Sequence, residues 1–446
     1  MRTSVTEQLP LVPQTSGHVH MDELREMSKI LDAHPQASDL VFADLIAGGI
    51  NPKKGAKGLS GEQVLRMAII KQGNSYSYEQ LAFHLADSMS YQAFCRLGFS
   101  ESPSSSTLQN NIKKIRPETL EQINRMLIGY AEEACVEDGH KVRTDCTVID
   151  SNIHEPTDSS LLFDCVRVLA RSLGRVNEFV TVPFVDHTRR AKRRAVGIRN
   201  AKKKAQLEKY RDLIKVAEKT VKYAECAVTA LEKQYSVVSL KAISLSNEME
   251  HYIRLSKKVL SQTRRRVLHG ESVPASEKIV SIFEPHTDII IKARREILYG
   301  HKVCLSTGSS GLVLDCVVES GNPADSTLAV AMVEHQIELY GRPPLQVCFD
   351  GGFSSKENLQ NIKNLDVEDV VFSKSPGIGI HEMVKNSWAY RQLKHFRAGI
   401  ESNISFLKRS LGWSRSTWRS LTSFKAYTFT SVVTANLLIL ARHALQ

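Results

Sequence analysis

The stretch LQVCFDGGFSSKENLQNI, Leu345 to Ile362, changes character in its middle. Val347, Cys348 and Phe349 have the apolar run of a short buried strand, whereas Ser354 to Ile362 has the spacing of an amphipathic helix. Asp350, followed at once by Gly351 and Gly352, therefore stands where a strand ends and a turn begins. Open α/β folds place their chemistry at that edge. A carboxylate there can hold a metal, cap a loop or act as a base, and its partners elsewhere in the chain decide which.

The 446 residues suffice for a large core and more than one domain. With 42% apolar and 24% charged residues, most of the chain is expected to be globular. A net charge of +11 favours a polyanionic partner. No secretory pattern opens the sequence, and the apolar run Ser431 to Ala441 reads as too short and too polar for a bilayer, so a cytoplasmic location is expected. The eight cysteines form no C-x-x-C pair and no Cys/His cluster, which predicts free thiols rather than a zinc site.

The first twenty residues lack periodicity and are predicted to be a loose tail. From Leu59 onward SGEQVLRMAIIKQ, SYEQLAFHLAD and STLQNNIKKI predict short helices, the first capped by Ser60. Over residues 60–130 this pattern suits a helix-turn-helix type module and, equally, a plain helical cap. KVRTDCTVID, from Lys141, alternates like a half-buried strand. Residues 186–224 then hold fourteen Lys or Arg against four Asp or Glu, a local excess of ten. Leu207, Tyr210, Ile214, Ala217, Val221, Ala224, Val228, Leu231, Tyr235 and Val238 form a seam at alternating three- and four-residue steps. A weaker seam follows at Leu245, Met249, Tyr252 and Val259, predicting an antiparallel helical hairpin. Beyond it, HKVCLST, GSSG and LVLDCVVES read as a β-hairpin, followed by a helix over Asp325 to Leu339, the Asp350 strand and helix, the strand VEDVVFSK and a helix from Tyr390 to Leu411. The order describes a mixed α/β domain interrupted by a helical insert.

This order supplies partners for Asp350. Asp145 lies on the first strand, which a mixed sheet can set beside the Asp350 strand. On the last of these helices Arg397, Glu401 and Lys408 stand four and seven residues apart, about 40° and 20° of rotation, and so share a face. Strand-end acids facing an acid among cations are what two-metal phosphoryl transfer needs: carboxylates bridge the ions while cations grip phosphate.

The segments RTDCTVIDSNIHEPTDSSLLFDCVRVL, CFDGGFSSKENL and FRAGIESNISFLKRSLGWSRSTW resemble the DDE transposases of bacterial insertion sequences, most nearly the ISNCY group. That resemblance implies a ribonuclease H-like catalytic domain over 136–446, interrupted by a helical insert at about 157–285 and preceded by a helical DNA-binding module over 21–135. It implies Asp145, Asp350 and Glu401 as catalytic, metal-binding residues, with two Mg²⁺ ions for which Mn²⁺ can substitute. It further implies cleavage and rejoining of DNA at the terminal inverted repeats of a mobile element, insertion into target DNA, action as a homodimer, and association with the nucleoid through DNA. A metal-dependent nuclease without strand transfer, or a non-catalytic DNA-binding regulator, are the alternatives. The related R-x₃-E-x₆-K signature usually has a tyrosine three residues before the arginine; here that position is Lys394, with Tyr390 one turn earlier.

Other residues divide between chemistry and structure. Asp150 is an odd step from Asp145 and points to the other face of the strand. Asp158 reads as a helix N-cap, and His154 and His301 as structural residues. Trp413 and Trp418, interleaved with Arg415 and Arg419, could stack on bases, but core packing is the preferred reading. Arg397 and Lys408 are candidates for phosphate contact. So are Arg189, Arg190, Lys192, Arg193, Arg194, Lys202, Lys203 and Lys204, expected to remain free at the base of the insert. A solvated charge run or a dimerisation arm are the other readings of that insert.

Overall fold

The structure, a computed structural model, describes residues 2–6, 18–98, 101–233, 240–292 and 296–446. Two compact units divide the chain, one made of Met1–Asp150 with His301–Gln446 and the other of Ser151–Gly300.

In the first unit strand β1 (Lys141–Asp150) occupies the middle of a mixed sheet. Within the second unit β2 (Asp288–Lys292) pairs antiparallel with the first five residues of β3 (Glu296–Thr307). The rest of β3 neighbours β1 and forms a hairpin with β4 (Val313–Val318), turning at Gly311, whose φ of 86° suits glycine. On its other side β1 pairs in parallel with β5 (Gln346–Phe349), which pairs in parallel with β6 (Asp369–Phe372). The fold is thus mixed α/β with parallel and antiparallel strands in one sheet. β5 and β6 are almost wholly buried, which is why VCF and DVVF read as continuous rather than alternating apolar runs.

The N-terminal helices form as their caps dictate. Ser60 and Gln63 exchange bonds of 3.1 and 3.0 Å in a capping box that starts the Gly61–Gly73 helix, and Ser77 starts the Tyr78–Asp87 helix in the same way. The described part of the expected loose tail is not loose. Gly61 and Glu62 donate their backbone N–H groups to Thr3 and Ser4 at 3.0 and 2.9 Å, because the first amides of a helix have no partner of their own. These helices share one apolar cluster with the sheet, so the expected separation of residues 21–135 from the catalytic sheet gives way to a common core.

The last helix, Leu421–Ala444, is the principal helix of that core. Read as too short and too polar for a bilayer from residues 431–441 alone, it is in fact 24 residues long and apolar enough to cross one by length and composition. Its apolar window is 83% buried within the protein, which accounts for its composition. Its polar side chains are satisfied inside: Thr430 and Thr434 bond back to carbonyls one turn earlier, each at 2.7 Å. Asn436 accepts from the Val313 N–H at 2.8 Å and donates to the Val313 carbonyl and to Asn124 at 2.8 and 2.7 Å.

The second unit departs from the expected two-helix hairpin. Lys203–Glu232 and Leu240–Thr263 do pack together, but Asp158–Val176 and Thr188–Arg199 pack on them as well, around a separate apolar cluster. The reason is legible in the burial of Lys203–Glu232. Beyond the predicted seam it also buries Leu213, Val216, Thr220 and Ala227, a face too wide for one partner helix. Tyr235 and Val238 of that seam lie outside the described residues. Asp158 is not the N-cap of its helix: Thr157 is, accepting from Ser160 N–H at 3.1 Å, while Asp158 pairs with Arg266 at 3.0 Å.

Replacing Asn436 with Ala strands the buried Val313 N–H and Asn124 Oδ1, while the Val313 carbonyl keeps Asn124 Nδ2 at 3.3 Å, so a loss of roughly 2 kcal/mol is expected. The check is denaturant unfolding followed by tryptophan fluorescence, where the midpoint should fall.

Candidate active site

The register of β1 against β5 sets the first two acids side by side. Thr144 is paired with Phe349, so Asp145 and Asp350 are each one residue beyond the last pair of adjacent parallel strands. The glycines after Asp350 make room: a Cβ at Gly351 would lie 2.8 Å from Lys374 Cβ, and one at Gly352 would lie 2.8 Å from Asp325 Oδ2.

The third acid comes from the Ser387–Ser410 helix, and Arg143 places that helix. Buried beneath it on β1, Arg143 donates to Thr307 Oγ1 on β3 at 2.9 Å, to the Phe396 carbonyl at 2.9 Å and to Asn403 Oδ1 at 3.0 Å. Its guanidinium also stacks over the Phe396 ring, 4.6 Å from the centroid. The helix comes so close that a Cβ on Gly399 would fall 2.0 Å from Arg143 Nη1.

Arg397 and Glu401 thereby face Asp145, which lies in the middle of β1 rather than at its end as expected, and Asp350, just past the end of β5. Arg397 Nη2 lies 2.8 Å from Asp145 Oδ2 and 3.2 Å from Asp350 Oδ1, and Nη1 lies 2.9 Å from Glu401 Oε1. One guanidinium is thus shared by three acids from three elements. The expected phosphate-gripping arginine is turned inward, its side chain 13% exposed. Glu401 is the most open of the three acids at 67%, and Asp145 the least at 16%.

Burial raises the Asp145 carboxyl to about 6 even with the Arg397 charge beside it, and the nearby charges of Asp350 and Asp325 add to the rise. At Asp350 burial acts in the same upward direction. Bonds from the Ser373 hydroxyl, at 2.7 Å, and the Gly351 N–H, with the charges of Arg397 and Lys374, outweigh it and hold the carboxyl below its ordinary value. Asp325, read from sequence only as a helix start, is a further acid near Asp145, and its Oδ1 accepts from Lys302 at 2.7 Å. No local signal distinguished it.

In donor chemistry the three carboxylates fit a hard divalent cation. Among the described residues, however, no three acidic, His or Cys side chains stand close enough to hold one as arranged, and the guanidinium is what the acids have in common.

The remaining expected residues lie elsewhere. Lys408 is half-buried further along the same helix, and Lys394 stacks over Tyr390, 5.9 Å from its ring centroid. Trp413 and Trp418 are core residues, 0% and 2% exposed. His301 is buried edge-on against Phe424, and His154 faces Asp164 at 3.6 Å. The backbone of Asp150 bridges to the segment around Arg415. In the second unit Arg189, Lys192, Arg193, Lys202, Lys203 and Lys204 are exposed. Arg190 and Arg194 are not free as expected, since both pair with Asp212 across the packed helices.

An acid-bearing sheet edge faced by a helix that brings a third acid is an arrangement for phosphoryl-transfer chemistry, and comparison with known families narrows it. Residues 292–437 match the family described as Transposase DDE domain, and residues 12–114 match Transposase domain (DUF772). No match is found among curated proteins or among solved structures. The class is therefore that of DNA transposition enzymes. More narrowly, the chain belongs to the DDE transposases of insertion sequences.

Gly399→Ala should leave the secondary structure intact, yet push the helix off Arg143 and carry Arg397 and Glu401 with it. Strand cleavage is expected to fall about a hundredfold, the scale of an ångström-sized misplacement. Circular dichroism and cleavage of labelled element ends measure the two effects separately.

Proposed function

We propose that Asp145, Asp350 and Glu401 are the catalytic acids of a two-metal transposase with a ribonuclease H-like catalytic domain, of the ISNCY group. The observation that carries this reading is the convergence of those three acids, from the middle of β1, the end of the adjacent parallel β5 and one helix, on a single cation. The strand order β4-β3-β1-β5-β6, an antiparallel hairpin beside a parallel set, supports the fold assignment.

The acids would hold Mg²⁺ or Mn²⁺ once Arg397 turns aside. When bound, two such ions supply a nucleophilic oxygen at neutral pH and stabilise the leaving oxygen. The chain's own groups orient the acids: the Cys146 N–H donates to Asp145 at 2.8 Å and the Ser373 hydroxyl to Asp350 at 2.7 Å. Cleavage breaks a P–O3′ bond at the element end, water adding its oxygen to phosphorus and the DNA keeping a 3′-hydroxyl. In strand transfer that hydroxyl attacks a target phosphodiester, whose own 3′-oxygen leaves. Residues 21–135 would bind the terminal inverted repeats, 136–446 would carry catalysis around the insert, and two copies would act in one DNA complex at the nucleoid.

Asp145→Ala, Asp350→Ala and Glu401→Ala should each abolish cleavage and spare DNA affinity, most of which comes from cations elsewhere. The assay is labelled element ends with Mg²⁺, Mn²⁺ or Ca²⁺. Joined product with the first two ions and none with Ca²⁺ is expected; nicks without joining would reduce the reading to a nuclease, and full activity in EDTA would sink it.

The exposed cations of the second unit would track the DNA backbone. With Arg190 and Arg194 committed to Asp212, neutralising Arg189, Lys192, Arg193, Lys202, Lys203 and Lys204 should flatten the slope of log affinity against log salt by about five. The loss should be equal on element-end and random duplexes; an unchanged slope would leave this unit a scaffold.

A further inference from the structure

Strand β2, of sequence DIIIK, is the last strand on its side of the sheet, and among the described residues no strand pairs with its outer edge. One bond on β3 decides how its backbone is turned. The Tyr299 carbonyl accepts from the Ser151 N–H at 2.9 Å, and so faces away from β2. A residue in an antiparallel ladder points its N–H and carbonyl to the same side, and opposite residues either exchange both bonds or neither. Ile289, opposite Tyr299, therefore turns both its backbone groups to the open edge, and by alternation so does Ile291. Ile290 between them is buried at 5% exposure, which puts Ile289 and Ile291 on the other face with Ile297, the residue opposite Ile291. Ile291 and Ile297 are 62% and 52% exposed.

An open apolar edge pairs with another strand unless the chain prevents it. This one does not: β2 has no proline, its register with β3 runs without a bulge, and its charges stand only at its two ends. Those ends also say which strand fits. Turned about a two-fold axis through Ile290, DIIIK lies antiparallel on itself, with Asp288 opposite Lys292 at both ends and Ile289 opposite Ile291 at both inner positions. The inner positions are the ones whose backbone groups face outward, so each inner pair can exchange two bonds. Unlike charges and β-branched side chains set opposite each other are both favourable cross-strand pairs.

We propose that β2 is an interface for a second copy of this chain, the two strands pairing antiparallel about a two-fold axis at Ile290. The pairing extends the sheet from one copy into the next and sets the exposed Ile291 beside Ile289 of the second copy. It goes beyond the reading of two copies in one DNA complex, since it concerns the free protein and uses neither DNA, metal nor any of the three acids. A strand of five residues buries far less than the roughly 1,200 Å² of a stable assembly, so the free protein exchanges between one copy and two as its concentration changes.

The test is sedimentation velocity of the full-length protein over a range of concentrations, in EDTA and without DNA. The average mass of the wild type should rise towards that of two copies. Ile291→Pro removes an outward N–H that the hairpin does not use, a position where an edge strand tolerates proline. It should keep the circular dichroism of the wild type and stay a single copy. Asp288→Lys and Lys292→Asp each set like charges opposite each other at both ends and should each weaken pairing roughly tenfold at low salt. An equimolar mixture of these two variants should regain wild-type affinity, because both ends of the mixed pair again bring unlike charges together. That rescue decides the matter if Ile291→Pro does not fold. A wild type that stays a single copy at its highest soluble concentration would overturn the proposal. So would a dimer that a folded Ile291→Pro leaves intact, or a mixture that pairs no better than its components. Asp145→Ala, which tests the catalytic reading, should leave this equilibrium unchanged, so the two readings fail separately.

Discussion

Arg143 is the fastener on which the geometry depends. A guanidinium taken out of water must be repaid by directed bonds, and this one is: a hydroxyl on β3, a carbonyl and an amide on the Ser387–Ser410 helix, and the face of Phe396. Because the donors form a rigid planar fork, the bonds set the rotation of the helix about its axis as well as its distance from the sheet. Gly399 is the counterpart, leaving space where any side chain would collide with Nη1. From that rotation it follows that Arg397 and Glu401, rather than their neighbours, look at Asp145 on β1 and Asp350 beyond β5.

The second guanidinium, Arg397, shows how the same chemistry serves a different end. Asp145, Asp350 and Glu401 carry like charges that would repel one another, and one cation shared among them lowers that cost. The environments differ across the cluster. Asp145 is held mostly out of water and Glu401 mostly in it, so the acids differ in how readily each exchanges one cation for another. In the proposed reaction the arginine is a placeholder whose departure exposes hard oxygen ligands.

Division into two units follows from burial. The helices before β1 bury most of their apolar residues against the sheet and the Leu421–Ala444 helix, so they join the first core. The four helices of the second unit close on each other instead, with cross-helix ion pairs such as Lys257 with Glu225 at 2.6 Å on the rim. The concentrated positive charge of residues 186–224 is therefore carried on a unit with its own core, part of it neutralised internally by Asp212.

What the sequence determined by itself was whatever depends on near neighbours. The strand that stops at Asp350, the alternation around Asp145, the capping boxes at Ser60 and Ser77, and the shared face of Arg397 and Glu401 all follow from periods of two or about 3.6 residues and from the chemistry of chain turns. Tertiary structure alone decided which groups those faces meet. Arg397 was expected to grip phosphate and became the partner of an acid 252 residues away. Arg190 and Arg194 looked free and were paired, residues 2–6 looked slack and were bonded, and a hairpin became a bundle. The physical reason is the same in each case: periodicity determines the direction in which a side chain leaves its own element, whereas its charge and hydrogen bonds are settled by groups that only the packed chain brings within about 3 Å.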